Sequence, residues 1–147
     1  MSWKTLSAHG RVESHHTSRE ELQGLRAAIE RDLRDAALAA LSTDNRFGLA
    51  YEAALLLAKM VVACAGYRVR GPAAHATTFE AMRLAMGPGI AKTVAYLDRC
   101  RRKRNQLSYD VAGVVGKAEA GEILEQVKAL RAMVEDWIGK KHPSLVP

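Results

Sequence analysis

Apolar residues recur along most of this chain at spacings of three and four, the period of an amphipathic helix. Leu22, Leu25, Ile29, Leu33, Ala36 and Ala40 form one such stripe. It starts behind Ser18-Arg19-Glu20-Glu21, which has the form of a capping box. The Ser18 hydroxyl would accept from the Glu21 amide while the Glu21 side chain reaches back. The stripe predicts a first helix to about Leu41, broken by Ser42-Thr43-Asp44-Asn45, which supplies the next N-cap. The second helix, about Asp44–Ala65, is apolar on nearly every side and must therefore be surrounded by other elements. Gly66 is placed to stop it. Tyr67–Pro72 then reads as a loop carrying Arg68 and Arg70.

A short third helix covers about Ala74–Met86 and ends at Gly87-Pro88-Gly89, because proline and two glycines continue a helix only at a cost. The fourth runs from about Ile90 to Tyr109, and Asp110–Gly116 is a loop. In the fifth, about Lys117–Lys140, Ile123, Val127, Leu130, Val134 and Trp137 alternate four and three apart, which makes a seam for a neighbour. No segment alternates in the manner of a strand, and no internal repeat is visible. The expected fold is all-α: an antiparallel up-and-down bundle of four long helices plus one short helix, spanning residues 18–141. Residues 1–17 are polar and lack a period, so they read as a flexible arm, and residues 142–147 read as a tail.

Composition narrows this further. A chain of 147 residues with 48% hydrophobic and 26% charged residues fits one domain with a real core. The N-terminus has no apolar stretch of the signal-peptide kind. Cys64 and Cys100 are few and far apart, so a disulfide framework is not expected and a reducing cytoplasm fits. The apolar run Leu49–Ala65 is interrupted by Glu52 and Lys59, and reads as a core helix and not as a membrane span. His15-His16 has no Cys, Asp or Glu cluster at ligand spacing beside it, so neither a metal nor another cofactor is expected.

Charge changes the picture most. Arg99, Arg101, Arg102, Lys103 and Arg104 put five cations into six residues. The chain carries a net charge of +6, and without these five it would carry +1, so the basicity is local. At about 100° per residue, Ile90, Val94 and Leu97 define the buried stripe of the fourth helix. Arg101, Arg104 and Ser108 continue that stripe, with Arg102 and Asn105 toward its edge. Asn105 and Tyr109, four apart, share a face. Arginines are not buried unpaired. The stripe therefore emerges into a groove, meets a carboxylate, or faces a second subunit. Snorkelling of long basic side chains and the pull of the helix C-terminus offer a purely structural alternative.

Three features resemble the HEPN superfamily of small helical bundles found in prokaryotic toxin–antitoxin and defence loci. One is Arg104-Asn105 followed by Tyr109-Asp110 and a final amphipathic helix. Another is the apolar helix that ends in Gly66-Tyr67-Arg68. The third is Gly71-Pro72-Ala73-Ala74-His75-Ala76-Thr77-Thr78. Together they span about Arg46 to Trp137. The resemblance implies a homodimer in which two Arg-(four to six residues)-His motifs meet and form a metal-independent ribonuclease site. There the Arg would hold the scissile phosphate and the His would perform acid–base chemistry on the ribose 2′-hydroxyl. In this chain Arg104 and Asn105 match, but the histidine position is Tyr109, and no histidine lies between His75 and His142. A tyrosine, with a pKa of roughly 10, is a poor general base at pH 7 beside a histidine of roughly 6.5.

The expectation is a non-catalytic, homodimeric HEPN-like module. It would bind RNA, a nucleotide or a phosphate-bearing partner through Arg101, Arg104, Asn105 and Tyr109, with His75 and Arg68 as accessory candidates. His75 is read mainly as a helix N-terminal residue that bonds locally. Three alternatives stand beside this. The first is a ribonuclease toxin with an Arg104/Tyr109 site. The second is the partner subunit of a minimal nucleotidyltransferase. The third is a structural role in which the arginines bridge Asp98, Glu52 or carboxylates of another subunit.

Overall fold

The computed structural model describes residues 1–109 and 113–147, and the side chains of Ser108 and Tyr109 lie outside that description. The chain folds as an all-α helical bundle. Its helices are α1 (Trp3–Ala8), α2 (Arg19–Ala36), α3 (Thr43–Cys64), α4 (Ala74–Met86), α5 (Ala91–Tyr109) and α6 (Lys117–Lys141). α3 stands at the centre and packs on α2, α4, α5 and α6. Its Ala50, Ala53, Ala54, Leu57, Ala58, Met60 and Val61 are fully buried, which is what an all-round apolar helix requires. α3 is long and apolar enough to cross a membrane, but 72% of its apolar window is buried inside the bundle.

The caps explain where the helices begin and end. Ser18 Oγ accepts from the Glu21 amide at 3.1 Å. The other half of the expected capping box is absent, because the Glu21 carboxylate instead takes the Thr17 hydroxyl at 2.7 Å and His15 Nε2 at 2.8 Å. Ser42 caps α3 by accepting from the Asn45 amide at 3.1 Å. Past the end of α3, Gly66 has φ +96°, a left-handed geometry that favours glycine. A 3-10 turn, Pro88–Ile90, leads into α5. α2 stops at Ala36, five residues before the expected end.

Two expectations are corrected at the N-terminus. The segment 1–17 is not a loose arm. It holds α1, capped by the Ser2 hydroxyl, and a strand, β1 (Val12–Ser14). β1 pairs antiparallel with β2 (Tyr67–Val69), where a loop was expected, in the register Val12 with Val69 and Ser14 with Tyr67. Leu6 and Val12 are buried with Val62 of α3 and Ala81 of α4 in a second small core, and the Trp3 and Tyr67 rings stack at 4.4 Å. Burying Leu6 and Val12 contributes about 1.5–3 kcal/mol each, and the ribbon pairing and the Trp3–Tyr67 stack add to it. Elements of three and six residues are too short to show a period.

Candidate functional site

α5 changes character along its length. Ile90, Val94, Leu97 and Cys100 are buried, as the stripe predicts for its first half. Farther along, Arg101 and Arg104 are half-buried, and Arg102 and Asn105 are exposed. Asp98 sits between the two halves and answers two cations at once. Its Oδ1 accepts from Arg101 Nε at 3.0 Å and its Oδ2 from Arg102 Nη2 at 2.7 Å. Lys103 reaches Glu119 of α6 at 3.3 Å. The Arg99 guanidinium lies 5.7 Å from the centre of the Tyr96 ring. A single carboxylate for two guanidiniums leaves local positive charge in excess. The structural alternative is therefore met in part, since Asp98 does bridge arginines.

Arg104 lies across α3 where that helix has no side chain. A Cβ at Gly48 would stand 3.6 Å from Arg104 Nε, ordinary van der Waals contact. One turn farther along α3 is Tyr51, 1% exposed, whose hydroxyl is 3.1 Å from His75 Nδ1 at the start of α4. His75 thus bonds across to α3, not locally as expected. Burial lowers its pKa from the usual histidine value. Glu52 opposes that shift, while the Lys59, Arg104 and Arg101 charges add to it. Burial pushes the Tyr51 hydroxyl well up, so it stays protonated, and the same two arginines pull the other way. Arg101, Arg104, Tyr51 and His75 therefore lie within electrostatic reach of one another.

Chemically, this face offers half-buried guanidiniums for an anion beside an imidazole that is neutral at pH 7. Because Tyr51 engages Nδ1, Nε2 remains for another partner. Cys100 is buried beside the cluster and its thiol is pushed up to about 11, too high for a nucleophile at neutral pH. Arg68 is not brought to this face. Its Nε donates to Glu13 at 3.0 Å on the β1–β2 ribbon. The Tyr109 side chain, a candidate from sequence, falls outside the described residues. Tyr51 and Gly48 escaped sequence reasoning, although a tyrosine inside an otherwise apolar helix was a signal. Among the described residues no three His, Cys, Asp or Glu side chains cluster as metal ligands.

Comparison with protein-family models, with curated proteins and with solved structures gives no match.

Proposed function

We propose that this chain is a HEPN-like module that binds RNA, or another phosphate-bearing ligand, on the α3–α4–α5 face. Arg101 and Arg104 are the main contacts, with Asn105 and Tyr109 as further candidates on the same helix. The observation that carries this reading is the sharing of Asp98 by Arg101 and Arg102, which leaves that pair with one positive charge over. Phosphate matches guanidinium geometry and charge, and single-stranded RNA adds bases for stacking. The resemblance further supports a homodimer in which two such faces meet, in the setting of a toxin–antitoxin or defence system. Two buried, unpaired cysteines fit a cytoplasmic setting. A nucleotidyltransferase encoded nearby would point to a protein partner.

A second reading, a metal-independent ribonuclease, is favoured by one observation: His75, neutral and anchored by Tyr51, lies within electrostatic reach of Arg101 and Arg104. It supplies from α4 the imidazole that the motif lacks at Tyr109. The deciding experiment incubates a single-stranded oligoribonucleotide with wild type, Arg101→Ala/Arg104→Ala and His75→Ala. Binding without cleavage, lost in the double variant, supports the module. Cleavage that is lost in His75→Ala moves the ribonuclease ahead. Binding that is unchanged in the double variant removes both.

A further inference from the structure

A second site is lined by residues other than those of the α5 cluster. β2, His15, the start of α2 and the last turns of α3 border a half-open cavity of about 360 Å³, within the size range of small-molecule sites. Its apolar wall is built by Leu25, Val62, Ala63, Tyr67 and Val69. Tyr67 is held in place by its 4.4 Å stack on Trp3, so that side of the wall is pre-formed.

The charged groups around the cavity are unequal. Glu21 accepts from His15 at 2.8 Å and from the Thr17 hydroxyl at 2.7 Å, and these bonds hold its pKa below the usual value. Arg68 and Arg70 share Glu13, which leaves one positive charge over. Lys59 lines the cavity from an exposed position between the buried Ala58 and Met60, and among the described residues it makes neither a hydrogen bond nor an ion pair. Apolar walls and an unanswered ammonium suit a ligand with an apolar body and one negative end.

We propose that this cavity binds a medium-chain carboxylate, with its chain against Leu25, Val62, Ala63 and Tyr67 and its carboxylate on Lys59 Nζ. This site shares no residue with the α5 cluster, although the Lys59 charge also reaches His75. The strongest objection is repulsion by Glu21. That carboxylate stays ionised, and the positive charge left over where Arg68 and Arg70 share Glu13 offsets it.

The test is amide NMR of the full chain titrated with octanoate and, separately, with neutral octanamide. Octanoate should shift the amides of Lys59, Ala63, Tyr67 and Val69 saturably. Its affinity should fall about tenfold in Lys59→Met, a loss of about 1.4 kcal/mol, and be largely kept in Lys59→Arg. Octanamide should bind more weakly than octanoate and equally to wild type and Lys59→Met. Lys59 is exposed, so neither variant disturbs the core. Non-saturating or scattered shifts overturn the proposal. So do equal octanoate affinities in wild type and Lys59→Met, or octanamide binding as tightly as octanoate.

Discussion

α3 and the second half of α5 are neighbours built on opposite terms. From Phe47 onward α3 buries most of its side chains, and there its only charged residues are Glu52 and Lys59. The second half of α5 packs Arg101 and Arg104 where its first half packs Val94 and Leu97, and holds two guanidiniums on one carboxylate. The first pattern determines stability. The second rests on partly exposed ion pairs, which contribute little to stability, and leaves one positive charge over at Asp98. Substitutions in the two regions should therefore act on different measurements.

The largest effect belongs to α3. Leu57→Ala, at a fully buried position, should cost about 2–5 kcal/mol in urea unfolding. Leu6→Ala, in the small second core, should also destabilise, by about 2 kcal/mol or more; a loose N-terminal arm would give no change. On α5 the expectation reverses. Asp98→Asn removes two partly exposed ion pairs and should cost only about 0–1 kcal/mol, while RNA binding becomes tighter. A loss of several kcal/mol with unchanged binding would place α5 with α3 as a structural element.

The smallest effect is in titration. His75 should titrate below pH 6.5 by NMR, because partial desolvation of its exposed ring and the neighbouring cations disfavour its charged form. Arg104→Met removes one of those cations and should move the midpoint upward. The sign for stability follows from the lowered value. The folded state binds its proton less readily than the unfolded chain, so this contribution is complete above about pH 6.5 and is lost as pH falls through the folded midpoint. A midpoint that stays fixed in Arg104→Met would separate His75 from the arginines.

Most of the bundle was legible because α2 to α6 are long enough for a 3.6-residue period to repeat several times. The arginine continuation of the α5 stripe was legible for the same reason. What was hidden depends on contacts between distant segments. β1 and β2 are three residues each and are specified by pairing with each other. The carboxylate of Glu21 was expected to close a capping box, yet His15 and Thr17 claimed it. The bond between His75 and Tyr51 joins residues 24 apart, and no spacing rule marks such a pair.

The most direct measurement is the salt dependence of affinity for a single-stranded oligoribonucleotide, in wild type and in Arg101→Ala/Arg104→Ala. Each phosphate contact contributes about −0.7 to the slope of log affinity against log salt for single strands, so removing two should flatten the slope by about 1.4. A flatter slope together with weaker binding is the predicted result. Parallel slopes and equal affinities would contradict a phosphate-binding role for the arginines of α5.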